Sequence, residues 1–371
     1  MRVDALHYDL PHERIAQHPA PDRESARLMH LPAGDGDVEH GRVHDLPDLL
    51  PPGALVVVND TRVIPARLLG RKRRSGGRVE LLLVRRLGAR RIDGLPGPRA
   101  AEVWQALGRA TKALRAGTDV EFTRRDASEG ASPVLFARVL ERSLAEGPLE
   151  VALWTESFDS VDAAVRACGH VPLPPYIKRA DAPEDAERYQ TVYARHDGSV
   201  AAPTAGLHLT ESLLERLAEH GCAIARVTLH VGLGTFQPVA VDDLDQHPMH
   251  AERSVVGQAT VDAIAQARAA GAPVVAIGTT TARALESAAD PARLGHVRPS
   301  DGDTRILIQP GHAWRVVDGL LTNFHLPGST LLAMVGALGG LDRVLAAYRL
   351  AVREGYRFFS YGDAMLLWRR T

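Results

Sequence analysis

Residues 51–62 read Pro-Pro-Gly-Ala-Leu-Val-Val-Val-Asn-Asp-Thr-Arg, and the architecture turns on this stretch. Ala54-Leu-Val-Val-Val58 is an unbroken apolar run with a Pro-Gly turn before it and three polar residues after it. A short run without polar alternation predicts a strand covered on both faces, as in a parallel sheet layered between helices. Chemistry in such folds gathers where apolar strands end in polar residues. Asn59-Asp60-Thr61-Arg62 is one such end, and three more follow. His230-Val-Gly-Leu-Gly-Thr-Phe236 comes after Arg226-Val-Thr-Leu229, and Gly278-Thr-Thr-Thr-Ala-Arg283 after Val274-Val-Ala-Ile277. Asn323-Phe-His-Leu-Pro327 comes after Val316-Val-Asp-Gly-Leu-Leu321. A fifth polar element, Ala202-Pro-Thr-Ala-Gly-Leu-His208, precedes a helix predicted over 211–220 with Thr210 as N-cap and Gly221 just past its end.

Working outward, strands and helices alternate from about residue 158. Strands are predicted over 224–231, 273–277 and 364–368, and helices over 260–270, 282–289, 331–338 and 341–354. Between about 66 and 151 the texture differs. Segments 67–71 and 78–87 flank Ser75-Gly76-Gly77 as a hairpin, and further short strands are predicted over 104–107, 119–122 and 134–140. Closely spaced strands without helices between them predict a small barrel or sandwich. The expected fold class is therefore α/β: a layered α/β main domain, residues 1–66 and 151–371, with a small inserted β-barrel domain, residues 67–150.

The 371 residues are 45% hydrophobic and 24% charged, enough apolar mass to exclude disorder over most of the chain. No window approaches 18 apolar residues and the first residues are charged, so the expected location is cytoplasmic, with no membrane partner. Cys168 and Cys222 are too few for a disulfide framework. The net charge of −1 hides an uneven distribution. Residues 62–99 hold eleven Arg and one Lys against Glu80 and Asp93, a local +10. Such a block is either a solvated rim or a phosphate-binding surface, and Arg suits phosphate bidentately.

The Gly278 turn opens a helix whose free amides suit an anion. It lacks the lysine and spacing of a triphosphate loop, and Gly232-Leu-Gly234 is only half of a dinucleotide fingerprint. His247-Pro-Met-His250 is interrupted by proline, so no metal is expected. No Gly-x-Ser-x-Gly elbow occurs, so covalent catalysis by the protein is not indicated. Among 16 histidines, those at strand ends are candidates for proton transfer.

Several stretches together carry a resemblance that spans nearly the whole chain in order. They include Tyr8-Asp-Leu-Pro-His-Glu-Arg-Ile-Ala-Gln17, Val58-Asn-Asp-Thr-Arg-Val-Ile-Pro-Ala-Arg67, Pro172-Leu-Pro-Pro-Tyr-Ile-Lys-Arg179 and Glu187-Arg-Tyr-Gln-Thr-Val-Tyr193. They continue with Ser199-Val-Ala-Ala-Pro-Thr-Ala-Gly-Leu-His208, Val227-Thr-Leu-His-Val-Gly-Leu-Gly-Thr-Phe236, Met249-His-Ala-Glu252, Leu320-Leu-Thr-Asn-Phe-His-Leu-Pro327 and Tyr356-Arg-Phe-Phe-Ser-Tyr-Gly-Asp-Ala-Met365. The chain resembles the S-adenosylmethionine:tRNA ribosyltransferase-isomerase family of queuosine biosynthesis, although 87–150 matches poorly.

The resemblance implies an α/β enzyme with an inserted barrel. Its co-substrate would be S-adenosylmethionine, and its partner a tRNA carrying a 7-deazaguanine precursor at the wobble position. No metal is implied, and a monomer is expected. Carried onto this sequence, it makes His208 and His325 the acid–base candidates, with His230 and Asp60 orienting or relaying. Arg62 and Arg283 would hold a carboxylate or phosphate, Thr279 and Thr280 the methionine end, and Thr204 and Asn323 further parts of the substrate. Tyr361 and Asp363 would contact the nucleoside. The basic block itself, through Arg71, Arg73 and Arg74, is expected to hold the tRNA backbone. A methyltransferase using the same donor, and a non-catalytic RNA-binding protein, are the rival readings.

Overall fold

A computed structural model describes residues 1–34, 36–95, 100–128, 130–142, 147–232, 234 and 239–370. The N-terminal part supplies β1 (Arg27–Leu31), β2 (Glu39–Arg42), the short helix α1 (Leu46–Leu49), β3 (Leu55–Asn59) and β4 (Thr61–Val63). Six strands follow without a helix between them: β5 (Arg67–Lys72), β6 (Arg78–Arg90), β7 (Ala101–Ala110), β8 (Asp119–Phe122), β9 (Leu135–Arg142) and β10 (Leu149–Trp154). Next come α2 (Val161–Cys168), α3 (Asp185–Arg188), β11 (His196–Ser199), α4 (Glu211–Glu219), β12 (Ala223–Leu229), β13 (Glu252–Val256) and α5 (Gln258–Ala269). The chain ends with β14 (Val274–Ile277), α6 (Thr279–Ser287), β15 (Ser300–Thr304), β16 (Gly319–Asn323), α7 (Thr330–Gly339), α8 (Leu341–Arg353) and β17 (Ala364–Trp368).

Nine strands form one sheet in the order β15-β13-β12-β3-β14-β16-β17-β1-β2. Its centre, β12-β3-β14-β16, is parallel. The apolar run of 54–58 occupies the middle of that centre as β3, every residue buried. Leu55 and Val57 face one core with α5 to α8, whereas Val56 and Val58 face the other with α4 and α1. Burial on both faces removes the need for alternation, and each such side chain stabilises the fold by about 1.5–3 kcal/mol.

The inserted strands close into a barrel, β10-β7-β6-β5-β8-β9, around a core of their own that α2 joins through Ala164, Val165 and Cys168. The last barrel strand, β10, runs to Trp154, four residues beyond the boundary expected at 150. It closes the ring by pairing with both β7 and β9, a role no local pattern marks. Where the chain returns to the main body, His170 bridges back to Arg67 through two backbone hydrogen bonds, 2.8 and 3.3 Å. Gly169 makes that approach possible, since a Cβ there would lie 1.9 Å from the Pro65 carbonyl oxygen.

Thr210 caps α4 as expected, accepting from Leu213 N–H at 3.0 Å. The helix expected at 282–289 instead starts at Thr279. Gly278 turns the chain with φ +88°, and Thr281 Oγ1 donates back to the Ile277 carbonyl at 2.6 Å, so the three threonines form the first helical turn. Among the described residues no single helix is long and apolar enough to cross a membrane, and α7 and α8 are bent by 114° at their junction.

Candidate active site

Because β12, β3, β14 and β16 run parallel side by side, their C-terminal ends share one edge. At about 4.8 Å per strand that edge is roughly 14 Å long. All four polar strand ends therefore line a single strip. Asn59, the last residue of β3, knits it together, and sequence reasoning assigns it no role. Its Nδ2 donates to the Leu229 carbonyl at 3.0 Å and to Thr280 Oγ1 at 3.1 Å, while its Oδ1 accepts from Leu229 N–H at 2.9 Å and Thr61 N–H at 3.2 Å. Every hydrogen-bonding position of this buried amide is filled, which binds three strand ends to one another.

At the β12 end, His230 is half-buried and its Nδ1 lies 2.7 Å from Thr61 Oγ1. Burial first, then the neighbouring His196 and Arg253, lowers its pKa. Gly198, with φ +145°, lies flat against this ring, 3.0–3.2 Å from an ideal Cβ to three ring atoms. Asp60 is buried, accepts from Thr228 Oγ1 at 2.6 Å and faces His196 Nε2 at 3.7 Å. Arg62 is exposed and turns outward, donating to the Ala194 carbonyl and standing 4.0 Å from Asp197, which also pairs with Arg166 at 2.5 Å.

At the β16 end, Asn323 Nδ2 lies 3.1 Å from His208 Nε2 and 3.1 Å from the Phe359 carbonyl. That carbonyl only accepts, so it fixes which end of the amide faces the ring. His208 also hydrogen-bonds the Arg23 backbone, and burial pushes its pKa down to about 4. His325 Nε2 lies 2.8 Å from Thr322 Oγ1, and burial pushes its pKa down to about 3. Both rings are neutral at pH 7. The His325 backbone is clamped by Tyr348 and Tyr8, whose hydroxyls reach its N–H and carbonyl at 3.2 and 2.5 Å.

Phe359 has φ +71°, in the left-handed region a non-glycine residue seldom occupies. Asn323, Phe324 and Gly362 hold it there through its carbonyl and N–H, and its ring lies 4.3 Å from that of Tyr176. Strain of this kind gathers where the surrounding structure over-determines a functional loop. Here the loop carries Ser360 and Tyr361 into a pocket with His208.

Other expected residues take different places. Thr279 is buried, Thr280 is half-buried with its hydroxyl on Asn59, and Thr204 sits half-buried in the turn that delivers His208. Arg283, expected to hold a substrate anion, is 6% exposed and ion-pairs with Glu252, whose other oxygen accepts from Gly232 N–H at 3.0 Å. Its charge braces the loop after β12. Asp363, expected at the nucleoside, accepts from the N–H groups of Arg27 and Arg357 at 3.0 and 2.7 Å and so fastens its own turn. Tyr361 lines the His208 pocket, but its hydroxyl donates to Asp185 at 2.7 Å, a carboxylate held by Arg179. Residues 233 and 235–238, with the end of the His230 motif, lie outside the described residues.

The basic block divides. Arg67 pairs with Glu80, Arg73 with Glu121, Arg85 with Asp303, Arg86 with Glu102 and Arg90 with Glu150. Arg71, Lys72, Arg74 and Arg78 have no carboxylate partner among the described residues, and they surround the tip of the β5–β6 hairpin. Arg99 lies outside the described residues. Among the described residues no group of three or more His, Cys, Asp or Glu side chains is placed to hold a metal ion.

A family model described as queuosine biosynthesis protein matches residues 3–367. The chain belongs to this family. A relative from Sorangium cellulosum strain So ce56, named S-adenosylmethionine:tRNA ribosyltransferase-isomerase, is 56% identical over 99% of this chain and 98% of its own length. Another of that name, from Anaeromyxobacter dehalogenans strain 2CP-C, is 52% identical over the full length of both. The crystal structure of a Thermotoga maritima S-adenosylmethionine tRNA ribosyltransferase is 33% identical, with a TM-score of 0.52 over 98% of this chain and 99% of that one.

Proposed function

We propose that this chain transfers and isomerises the ribosyl moiety of S-adenosylmethionine onto the 7-aminomethyl-7-deazaguanine at the wobble position of tRNA. The products are epoxyqueuosine in the tRNA, adenine and methionine. The observation that carries this reading is identity above 50% over full length to proteins named for that activity. The gathering of the strand-end motifs on one edge of the sheet supports it.

The sulfonium acidifies the ribose C5′ protons, so one positioned base starts the reaction by removing one. Adenine leaves more readily when protonated, which calls for an acid. The attacking amine belongs to the tRNA base, so no protein nucleophile is needed. In this proposal His208 and His325 are the acid–base pair. Asn323 yields His208 Nε2 as substrate enters, and Asp60 with His230 orients and relays. Thr279 and Thr280, expected from the sequence at the methionine end, are here reassigned with Thr204 and Asn323 to the ribose, and Tyr361 flanks the nucleoside. Arg71, Arg73 and Arg74 hold the tRNA backbone, and Arg62 meets a flanking anion. The chain acts as a monomer in the cytoplasm.

Chromatography of the small products tests the reading. Adenine and methionine should form only when tRNA carries the precursor base. S-adenosylhomocysteine in their place would make the protein a methyltransferase, and tRNA binding without consumption of the donor would make it a binding protein. Either result overturns the proposal.

A further inference from the structure

A cleft of about 540 Å³ opens between residues 21–25, the start of α4 and the end of α3. It adjoins the pocket that contains His208 and Tyr361, and Arg23 and Arg188 line both. Among the described residues, neither guanidinium is hydrogen-bonded to a carboxylate. Arg23 donates to the Leu207 and Glu187 carbonyls, each at 3.0 Å, and Arg188 to those of Pro21 and Ala20 at 2.9 and 2.7 Å. Arg188 Nε is buried without a partner. The two cations are close enough that burial and then Arg188 lower the pKa of Arg23.

The same cleft holds three acids. Glu24 is engaged by Arg216 and the Thr210 hydroxyl. Asp22 and Glu187 are exposed, and among the described residues neither carboxylate makes a hydrogen bond or close ion pair with a side chain. Two cations and two anions thus line one volume, and the only compensation between them is through space, from Glu187 onto Arg23. A phosphate would meet the arginines but be repelled by Asp22 and Glu187, and a simple cation would suffer the reverse. A small zwitterion satisfies both sets.

We propose that this cleft binds a zwitterionic α-amino acid group, its carboxylate on Arg23 and Arg188 and its ammonium on Asp22 and Glu187. The inference rests on the reaction proposed above, and it assigns the methionyl end of the ribosyl donor to this cleft. The reacting end of the donor then points into the adjoining pocket, beside His208. Because the Arg23 backbone bonds the His208 ring, an amino acid held by the Arg23 side chain also steadies that ring.

Calorimetry without tRNA tests the site, using L-methionine, S-adenosylmethionine and 5′-methylthioadenosine, which lacks the amino acid group. Arg188→Ala should weaken the first two by about tenfold or more and leave the third within about twofold. Arg188 also fastens Pro21 and Ala20, so Asp22→Asn with Glu187→Gln, both exposed and with carboxylates that hold no side-chain hydrogen bond among the described residues, serves as the second variant and should show the same selectivity. Unchanged affinity for S-adenosylmethionine in both variants, or parallel loss of methylthioadenosine binding, overturns the assignment. Failure of the reaction reading is seen separately, as wild-type protein that releases no adenine from precursor-bearing tRNA.

Discussion

Asn323 Nδ2 stands 3.1 Å from His208 Nε2, and its other hydrogen is engaged by the Phe359 carbonyl, so this one amide holds the ring and the strained loop together. Its Oδ1 is buried with no partner, an acceptor ready for a donor that arrives with substrate.

Asn323→Asp keeps the shape and reverses the chemistry. A carboxylate oxygen then opposes the Phe359 carbonyl and faces His208 Nε2, where it favours the charged imidazolium. The His208 pKa should rise from about 4, followed by NMR titration of the ring. Stability should fall by about 1–3 kcal/mol in urea unfolding. Adenine release should drop by about a hundredfold. Full turnover with an unshifted His208 would contradict the coupling.

Acid sensitivity follows from burial. His208 and His325 stay neutral in the folded chain down to about pH 4 and about pH 3, whereas each takes up a proton near 6.5 once unfolded. Below 6.5 the unfolded state therefore binds more protons. Stability is full above that pH and declines by about 1.4 kcal/mol per unit for each ring as pH falls toward 4. Urea midpoints at about pH 7, 5.5 and 4.5 should show this slope, and His208→Gln should flatten it. A midpoint constant across that range would refute it.

Charge reversal should act by position within the basic block. Arg71→Glu and Arg74→Glu remove cations without a carboxylate partner. They should weaken tRNA binding and lower its salt slope by about one for each phosphate no longer neutralised. Arg86→Glu and Arg90→Glu reverse residues already paired with Glu102 and Glu150 and should affect binding less. Filter binding from roughly 50 to 200 mM salt separates the two pairs. Equal slopes would return the hairpin to being a solvated rim.

Gly169→Ala tests the neck between barrel and body. A Cβ 1.9 Å from the Pro65 carbonyl oxygen cannot be accommodated without parting the Arg67–His170 bridge. The melting temperature should drop, with about 2–4 kcal/mol lost. A variant as stable as wild type would mean that the bridge is dispensable.

Much of the fold is legible in the sequence because the central strands advertise themselves. Val56, Val57 and Val58 are apolar on both faces, and Gly278 marks its turn. The edge strands are silent: Ser-Asp-Gly-Asp-Thr of β15 and Glu-His-Gly-Arg of β2 pair through their backbones while showing polar side chains to solvent. Charge pairing is hidden for a related reason. Arg85 meets Asp303 and Arg283 meets Glu252, partners distant in sequence that no local count of charges brings together. Asn59 opens a recognisable strand-end motif, but its fourfold bonding depends on three strands that only the sheet order places beside it.

The position of β17 sets an order of events during synthesis. It lies between β16 and β1, so β1 and β2 have no route into the sheet until residues 364–368 have been made. The barrel needs nothing beyond Trp154 to close its ring. At roughly 5–20 residues per second, about 210 residues separate those two moments by roughly ten to forty seconds. On the ribosome the arginine-rich barrel can therefore close its ring well before the sheet edge beside His208 forms, and β1 with β2 waits outside the sheet for residues 364–368.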